Sequence, residues 1–470
     1  MATKNNTKQQ IVIIPSPGMG HLIPLVEFAK LLHSHHHFSI TILLPSSSPP
    51  TSAQTSFLAT LPSAISYTFL PPIDTTMLPP NIAHEVILHR VHSRSIPYIR
   101  STLASLSSVV ALVTDIFGTD YFDVARETGI ASYMYFTSTA FCLLFFFHFY
   151  RLHETVSCEY RDMKDPVVLP GCVPLYGKDF VDPVQNRNDE AYEVFLYLIK
   201  RYSLPEGIFV NSFLDLEPDA FNALKTEDPN RPEIYPVGPV IQYGLGRGAD
   251  EGLECLSWLD RQKPGSVLFV SFGSGGTLSY EQINELAIGL EKSGESFLWV
   301  VRAPSDSAFG SFFTQGQGGK ENNPFGFLPD GYVDRVKDRA LLVPSWAPQI
   351  EVLSHVSTGG FLSHCGWNST LESIVYGVPL IAWPLYAEQR MNAVMLNEGL
   401  KVALRPKAFE SGLVEADEIA RVVKDLMGGE EGIRARERIK ELSELARKTR
   451  SEHGDSTKTL SQVAQKWNQK

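Results

Sequence analysis

Residues 346–389 read WAPQIEVLSHVSTGGFLSHCGWNSTLESIVYGVPLIAWPLYAEQ, and this stretch decides the fold. The short apolar run at residues 359–362 predicts a strand, and Ser369 opens a run with the apolar spacing of a helix. Between them, residues 364–368 combine Gly with Asn and are turn-like. A strand that passes through a tight turn into a helix is typical of α/β folds.

The start of the predicted helix offers a binding site for phosphate. Its first backbone N–H groups lie at the positive end of the helix dipole, so a diphosphate against Asn368 and Ser369 needs few basic side chains. His364 adds a further donor. Trp346 offers a flat face on which a nucleobase can stack, and Glu372 can accept hydrogen bonds from ribose hydroxyls. The pattern favours a sugar nucleotide as the ligand.

Part of this pattern also has a purely structural interpretation. Ser369 and Glu372 have the Ser-x-x-Glu spacing of a capping box, and the two roles can coexist. Further along, Glu388 and Gln389 follow a predicted strand at residues 379–383. Open α/β sheets bind ligands at the carboxyl ends of their strands, and a carboxylate beside an amide suits a hydroxyl-rich sugar.

The same stretch resembles the signature box of the plant secondary-product UDP-glycosyltransferases, which starts at a Trp, contains HCGWNS and ends in Asp/Glu-Gln. The similarity covers nearly the whole chain and is greatest to the phenol-accepting hydroquinone glucosyltransferase (arbutin synthase) group. It implies an inverting, metal-independent transferase that needs no cofactor. The donor that it implies is UDP-glucose, because a final Gln, here Gln389, usually goes with glucose in this family. The resemblance implies UDP-sugar contacts at Ser274, Trp346, Ala347, Gln349, His364, Trp367, Asn368, Ser369, Glu372, Glu388 and Gln389.

Length and composition agree with such a protein. A chain of 470 residues is too long for one ordinary core and fits two domains. A hydrophobic fraction of 43% and a charged fraction of 20% are typical of soluble globular proteins. The formal net charge of −11, without a basic stripe, argues against nucleic acid as a partner.

Predicted strands alternate with helices, which indicates parallel sheets covered on both faces. Strands are predicted at residues 10–15, 40–44, 111–114, 133–136 and 208–211, and at 267–272, 297–301, 341–344, 360–362 and 380–383. The predicted fold class is α/β, with two Rossmann-like doubly wound domains facing a cleft, the GT-B architecture of the family. We place an acceptor-binding domain at residues 1–240, a linker at 241–252 and a UDP-sugar-binding domain at 253–454. The resemblance implies that a C-terminal helix at 455–470 packs back on the first domain.

The catalytic hypothesis concerns the first domain. His21 follows a Gly-x-Gly turn directly after a strand, which places it at the strand's carboxyl end. A neutral imidazole can take the proton of an acceptor hydroxyl near pH 7. Asp115 ends the predicted strand ALVTD and could orient the ring and stabilise the imidazolium. The resemblance implies the same base and partner.

Two alternatives to a glycosyltransferase are a binding protein and a hydrolase. A catalytically silent sugar-nucleotide-binding protein could use the same box as a sensor, but it has no need of His21 and Asp115. A serine hydrolase acting on glucosides is disfavoured, because no Gly-x-Ser-x-Gly elbow occurs at a suitable strand end.

The acceptor pocket is predicted from aromatic residues of the first domain. Phe117, Phe146 and Phe147 could form a flat apolar slot, with Glu85 on a nearby helix, and ordinary core packing is the alternative. The resemblance implies a planar aromatic acceptor such as hydroquinone, a simple phenol, a monolignol-like alcohol or indoxyl. A phenol has a pKa of about 10 and needs only modest help from a base.

Cysteine and histidine usage indicates neither a disulfide framework nor a metal centre. The five cysteines lack regular spacing, and their odd number suits a reducing compartment. The histidines of residues 33–37 are predicted to lie in a solvated loop, so no bound metal is expected. The polar first ten residues leave no room for a signal sequence, and the longest apolar run is shorter than the ~20 residues of a membrane helix. We expect a cytoplasmic monomer without an integral membrane segment.

Overall fold

The computed structural model describes residues 9–79, 82–226, 228–242, 252–305, 323–409 and 411–469. The chain divides into two compact units. The first consists of Met1–Gln242 together with Arg447–Lys470, and the second of Tyr243–Ala446. Most of the predicted linker, at residues 243–251, lies outside the described residues.

The first unit is built around a seven-stranded parallel sheet. Its strands are β1 Gln10–Ile14, β2 Ser39–Leu44, β3 Ile65–Phe69, β4 Val109–Thr114, β5 Ala131–Phe136, β6 Gly207–Val210 and β7 Glu233–Pro236. They lie in the order β3-β2-β1-β4-β5-β6-β7, and every neighbouring pair is parallel. The central strands are apolar along their length because helices cover both faces of the sheet.

The helices between these strands supply the two outer layers of the first unit. They are α1 Met19–His36, α2 Ser52–Leu58, α3 His84–Ser105, α4 Tyr121–Thr128, α5 Ala140–Thr155, α6 Glu190–Lys200 and α7 Pro218–Thr226. Helix α1 begins after Gly18, whose φ of 111° lies in a region that favours glycine. This glycine lets the chain leave β1 and enter the helix within a few residues.

The second unit repeats the plan with a six-stranded parallel sheet. Its strands are β8 Val267–Ser271, β9 Ser296–Val301, β10 Ala340–Pro344, β11 Thr358–Ser363, β12 Leu380–Ala382 and β13 Ala403–Leu404, in the order β10-β9-β8-β11-β12-β13. The helices are α8 Leu253–Leu259, α9 Tyr280–Ser293, α10 Tyr332–Val336, α11 Gln349–Ser354, α12 Trp367–Tyr376, α13 Gln389–Val394, α14 Ala416–Gly428 and α15 Glu430–Thr449. This unit contains all of residues 346–389.

The last helix, α16 Asp455–Asn468, belongs to the first unit. Its Trp467 is fully buried, and the indole ring packs against Phe38, Tyr133 and Phe209. The Ser456 hydroxyl donates a hydrogen bond of 2.6 Å to the carbonyl oxygen of Gly238. The end of the chain is therefore part of the core around the first sheet.

The predicted α/β class with two Rossmann-like sheets is confirmed, and all ten predicted strands are present. Three described strands were not predicted: β3, β7 and β13. All three lie at sheet edges. Most of β3 is solvent-exposed and β13 has two residues, so neither shows the continuous apolar run by which a buried strand is recognised.

The predicted histidine loop is wrong in one respect. His33, His35 and His36 belong to the last turn of α1, and only His37 lies beyond it, in a left-handed conformation with φ of 61°. A left-handed residue ends a helix, and a chain reversal there leads into β2. Among the described residues, no helix is both long enough and apolar enough to cross a membrane.

Candidate active site

Each sheet reverses its strand order once. In the first sheet, β2 and β3 lie on one side of β1, while β4 and the later strands lie on the other. In the second sheet the reversal lies between β8 and β11. Open α/β sheets bind ligands outside the carboxyl ends of their strands at such a reversal. Function is therefore expected in the residues that follow β1 and β4, and in those that follow β8 and β11.

In the second unit, His364 follows β11 and packs against the turn that follows β8. A Cβ atom on Gly273 would lie 2.5 Å from Cε1 of the His364 ring, and one on Gly366 would lie 2.4 Å from Nε2. Gly273 also has a φ of +72°. These two glycines leave room for the imidazole between them. Ser274, next in the turn, is exposed.

His364 is uncharged at neutral pH. Its burial, and secondarily the positive charge of Arg302, lowers its pKa to about 4. The ring atom Nδ1 is buried and makes no hydrogen bond. A buried polar atom without a hydrogen-bond partner costs free energy. A neutral imidazole in this place offers a single N–H donor, which suits a phosphate oxygen.

Helix α12 begins at Trp367, two residues earlier than the sequence pattern indicated. Its N-cap is Gly366, so Asn368 and Ser369 are the second and third helical residues and carry N–H groups of the first turn. The capping-box interpretation is wrong, because Ser369 lies inside the helix. The indole of Trp367 is buried, so its main-chain N–H at the first helical position is the group that can face a ligand.

Gln349 connects three parts of the second unit through its amide group. Its Nε2 donates hydrogen bonds to Ser369 Oγ at 2.8 Å and to Glu372 Oε2 at 2.6 Å. Its Oε1 accepts one of 3.4 Å from the hydroxyl of Ser271, at the end of β8. Burial raises the pKa of Glu372 to about 7, although the hydrogen bond from Gln349 opposes this rise. The Glu372 carboxyl group is thus fixed in place and titrates near neutral pH.

Trp346 follows the edge strand β10 and is half-buried, and Ala347 beside it is buried. The preceding Ser345 has a φ of 64°. The guanidinium of Arg302, which follows β9, donates hydrogen bonds of 3.3 and 3.1 Å to the carbonyl oxygen of Ser345. It also donates one of 3.3 Å to the carbonyl oxygen of Gly276. Arg302 therefore fixes the backbone before Trp346 to the glycine turn after β8.

Glu388 and Gln389 lie at the start of α13, after β12. The Gln389 Oε1 atom accepts hydrogen bonds from the backbone N–H groups of Leu385 and Tyr386, at 2.9 and 3.0 Å. This contact orients the amide so that its NH₂ group is the part left for a sugar. Buried Asn392 donates to the Cys365 carbonyl oxygen at 3.0 Å and to Glu388 Oε1 at 3.4 Å.

In the first unit, the structure brings His21 and Asp115 together at the reversal between β1 and β4. His21 is the third residue of α1, so the predicted Gly-x-Gly turn is in fact the beginning of the helix. Asp115 directly follows β4 and is fully buried. His21 Nδ1 lies 3.0 Å from Asp115 Oδ2, and the His21 side chain is 22% exposed. A ring held on Nδ1 and reached by solvent has its Nε2 available as a base.

Asp115 is ionised although it is buried. Burial raises its pKa, but the charge of His21 and the hydrogen bonds from His21 and Ser16 lower it below its usual value. The Ser16 N–H and hydroxyl donate to Oδ2 and Oδ1 at 2.6 and 2.5 Å, and the Phe117 N–H donates to Oδ1 at 3.2 Å. Such a carboxylate can stabilise a positive charge on His21.

The predicted acceptor residues fall into two groups. Phe117 is half-buried and meets the His21 ring edge-on, with ring centroids 5.7 Å apart. Glu85 lies at the start of α3, where burial raises its pKa. The neighbouring His84 has a pKa lowered to about 4 by burial and, secondarily, by the charge of His21. This electrostatic interaction indicates that the start of α3 lies near His21.

The two remaining phenylalanines lie deeper or elsewhere. Phe146 is buried and stacks edge-on against Phe195, with centroids 4.9 Å apart. The guanidinium of Arg231 lies over the Phe147 ring, 4.8 Å from the ring centroid. Arg231 itself lies two residues before the start of β7. His21 and Asp115 lie at the carboxyl ends of β1 and β4, so this position at the start of β7 does not support Phe147 as an acceptor contact.

Sequence reasoning missed the residues that hold the site in place: Ser16, His92, Arg302 and Asn392. Each acts through contacts with residues distant in sequence, as in the pairing of Ser16 with Asp115, 99 positions away. Only Asn392 offers a local signal, since it lies one helical turn after Glu388. Among the described residues, no group of three or more His, Cys, Asp or Glu side chains could hold a metal ion.

Comparison with known proteins gives a consistent result. The sequence profile described as "UDP-glucoronosyl and UDP-glucosyl transferase" matches residues 249–445. Hydroquinone glucosyltransferase of Rauvolfia serpentina is 52% identical over 463 residues, which cover 98% of each chain.

Two solved structures have the same fold. Phytolacca americana UGT2, complexed with UDP-2fluoro-glucose and pterostilbene, superposes with a TM-score of 0.90 at 63% identity, over 98% of this chain and 100% of that one. A Polygonum tinctorium UDP-glucosyltransferase capable of glucosylating indoxyl, in complex with 3,4-dichloroaniline, has a TM-score of 0.90 at 49% identity, over 98% and 99% of the two chains.

Proposed function

The chain belongs to the family of UDP-glucuronosyl and UDP-glucosyl transferases, and from this premise we propose that it transfers glucose from UDP-glucose to the hydroxyl group of small aromatic acceptors. The transfer inverts the configuration at the anomeric carbon and gives a β-glucoside. UDP-glucose is the donor substrate, and the reaction needs no cofactor. The two Rossmann-like sheets are those of the GT-B architecture.

We propose that the residues around β8 and β11 hold the donor. Trp346 stacks on the uracil ring, and Glu372 accepts hydrogen bonds from the ribose hydroxyls. Ser274, His364, Asn368 and Ser369 donate hydrogen bonds to the diphosphate, which also lies at the positive end of the α12 dipole. The neutral state of His364 and the fixed geometry of Gln349 and Glu372 support these roles.

We assign the glucose to the carboxyl-terminal end of the signature box and to Trp367. Glu388 and the Gln389 NH₂ group bind its hydroxyls, and the Trp367 N–H adds a donor. Ala347 and Gln349 line the nucleoside end of the site. The contacts that fix Gln389 Oε1 and Glu388 in place support this assignment, because a sugar is selected only by groups with a defined direction.

We propose that His21 is the catalytic base. Its Nε2 takes the proton of the acceptor hydroxyl while the acceptor oxygen bonds to the anomeric carbon. The bond from that carbon to the β-phosphate oxygen breaks on the opposite face, and UDP leaves with its electron pair. Asp115 stabilises the imidazolium that results. The observation that carries this proposal is the 3.0 Å contact between His21 Nδ1 and the buried Asp115 carboxylate.

The acceptor is proposed to be a phenol or a similar planar hydroxyl compound. Hydroquinone and indoxyl are the acceptors named for two relatives of the chain, and monolignol-like alcohols share their size and planarity. Phe117 lies beside His21 and supplies an aromatic surface, and Glu85 at the start of α3 and the buried Phe146 are the further candidate contacts. Phe117 is the best supported of these contacts.

The proposal is tested by incubating the purified protein with UDP-glucose and a panel that includes hydroquinone, simple phenols and indoxyl. Product mass and the anomeric configuration by NMR are measured together with released UDP. We expect one β-linked hexose per UDP. An α-linked product would contradict the inverting mechanism. Binding of UDP-glucose without transfer to any acceptor would favour a silent sugar-nucleotide-binding protein.

We further infer that the protein is a cytoplasmic monomer. None of its five cysteines, all within the described part of the chain, forms a disulfide bond, which supports a reducing compartment. Light scattering on the eluting protein tests the monomer, since a mass near 52.3 kDa is expected and a doubled mass would contradict it. A fluorescent fusion tests the location.

A further inference from the structure

His92 is a buried histidine that the proposed reaction does not use directly. It lies on α3 and is fully shielded from solvent. Its Nε2 lies 2.7 Å from the Ser16 hydroxyl oxygen. Its Nδ1 lies 3.1 Å from the hydroxyl of Tyr121, which is also buried. Through Ser16, His92 is one residue removed from the Asp115 carboxylate.

The directions of these hydrogen bonds follow from the chemistry of the groups. Asp115 is ionised and carries no hydrogen, so the Ser16 hydroxyl, 2.5 Å from Oδ1, must donate to it. The Ser16 oxygen can then only accept on its other side. His92 must therefore carry its hydrogen on Nε2 and donate it to Ser16.

The other ring nitrogen of His92 is consistent with this assignment. Burial, followed by smaller effects of nearby charges, lowers the pKa of His92 to about 4, so the ring is neutral and carries one hydrogen. With that hydrogen on Nε2, Nδ1 is an acceptor. The Tyr121 hydroxyl has one hydrogen, which it can donate to Nδ1 over 3.1 Å or to the His92 carbonyl oxygen over 3.2 Å. The two hydrogen bonds from His92 through Ser16 to Asp115 thus run in one direction.

We propose that His92 is a positioning residue for the transfer reaction: it fixes the Ser16 hydroxyl on Asp115 and so holds the carboxylate in the orientation that directs His21 Nε2 at the acceptor. This inference rests on the proposed role of His21 as the base. Without the N–H of His92, the Ser16 hydroxyl is free to rotate away from Oδ1. Asp115 then keeps the Phe117 N–H on that oxygen and loses one of its two restraints there.

A positioning role and an ordinary packing role for His92 predict different results with different acceptors. An ordinary phenol needs the base, because its proton must be removed during transfer. A nitrophenol that is already ionised at the assay pH does not. Loss of a residue that positions the base should therefore slow transfer to the phenol and spare transfer to the ionised nitrophenol. A packing defect slows both.

The test compares three variants. His92→Phe keeps the ring volume and removes the donor, whereas His92→Gln can place an amide N–H near the position of Nε2. Thr41→Val is the matched control, since it removes a buried hydroxyl in β2 that bonds Gln10 and Ser66 and lies away from the carboxyl ends of the strands. For each, kcat and KM are measured with both acceptors, and UDP binding gives the fraction of competent protein.

With the phenol, we expect His92→Phe to lower kcat about 10- to 100-fold, part of the ~10²–10⁴ that a general base contributes. The KM for UDP-glucose and the rate with the ionised nitrophenol should change little. His92→Gln should recover most of the loss, and Thr41→Val should leave both rates near those of the native protein. If His92→Phe does not fold, Ser16→Ala removes the same connection and should show the same dependence on the acceptor.

Equal loss on both acceptors, or no loss on the phenol, would overturn the proposal. His21→Ala, measured alongside, separates this failure from a failure of the proposed function. If His21→Ala retains full turnover of the phenol, the base itself is misassigned. If His21→Ala abolishes that turnover while His92→Phe and Ser16→Ala keep it, only the role of His92 is wrong.

Discussion

At the scale of single residues, function depends on which charges burial suppresses. His364 is held neutral because it is buried and because the charge of Arg302 acts on it. Asp115 is equally buried but is ionised, because donors surround it. Glu372 lies between these cases, with a pKa near 7. The same degree of burial therefore gives three different charge states, set by the number of donors and by nearby charge.

Glu372 gives a prediction for the pH dependence of donor binding. Its ionised form accepts hydrogen bonds from ribose, so affinity for UDP should fall as the pH falls through about 7. Glu372→Gln should weaken binding at pH 8 about 10- to 100-fold, since hydrogen bonds to charged groups contribute about 1.5–3 kcal/mol. It should also abolish the pH dependence. Calorimetric titration with UDP measures both, and Glu281→Gln, at an exposed position on α9, is a control with the same change in charge.

The stability of the ligand-free protein should respond in the opposite sense. The folded pKa of Glu372 lies above the unfolded value of 4.5, so the native state binds the extra proton. The free energy of unfolding should then fall as the pH rises from 4.5 to about 7, as far as this group is concerned. Glu372→Gln should raise Tm at pH 8 and not at pH 4. An unchanged Tm at pH 8 would contradict the inference that burial disfavours the ionised form of Glu372.

At the scale of secondary-structure elements, the candidate donor site depends on the turns that follow β8 and β11, which meet at His364. Gly273 after β8 and Gly366 before α12 touch the two sides of one imidazole. Glycine is required at Gly273 for two reasons: its φ is left-handed, and a Cβ there would meet the His364 ring. At Gly294, after α9, only the first reason applies, because its φ is +75° but a Cβ would meet nothing within 4 Å.

This contrast allows the two constraints to be separated. Gly273→Ala and Gly294→Ala should both destabilise the fold by about 1 kcal/mol because of the left-handed backbone. Only Gly273→Ala should displace His364, and we expect it alone to raise the KM for UDP-glucose by about tenfold or more, in line with the loss of one hydrogen bond to a charged group. Urea denaturation and donor titration give the two quantities. Similar KM values in both variants would show that His364 does not depend on this contact.

What the sequence could predict follows the same division. Candidate site residues within one contiguous stretch, such as Trp346 and Glu372, could be predicted because their spacing is local. The pair of His21 and Asp115 was found because each ends a strand–turn unit that can be recognised by itself. The contact of His92 with Ser16 could not be predicted, because the two residues lie 76 positions apart and meet only once the chain is folded. Edge strand β3 was missed because its side chains are largely exposed.

At the scale of the whole molecule, the last helix shares one core with the strands of the first unit. Residues 447–470 complete the unit formed by residues 1–242, and Trp467 is fully buried there. The indole contacts Phe38 from the segment before β2 and Phe209 from β6. The terminal helix is thus an integral layer of the first unit.

Removal of this anchor should cost stability without changing the chemistry. We expect Trp467→Ala to lower the free energy of unfolding by about 3–5 kcal/mol, as large aromatic truncations in a core do. Trp467→Phe should cost less, because a ring remains among its neighbours. Turnover per folded molecule should be unchanged in both. A loss of activity in well-folded Trp467→Phe would show that the helix influences the reaction directly.

The central claim is that His21, held by Asp115, removes the acceptor proton. The most direct measurement compares kcat for an ordinary phenol, together with the affinity for UDP-glucose, in the native protein and in His21→Ala. Loss of at least about 10²-fold in kcat with unchanged UDP-glucose affinity is the result that we expect. Full turnover in His21→Ala would contradict the account, since the base would then lie elsewhere.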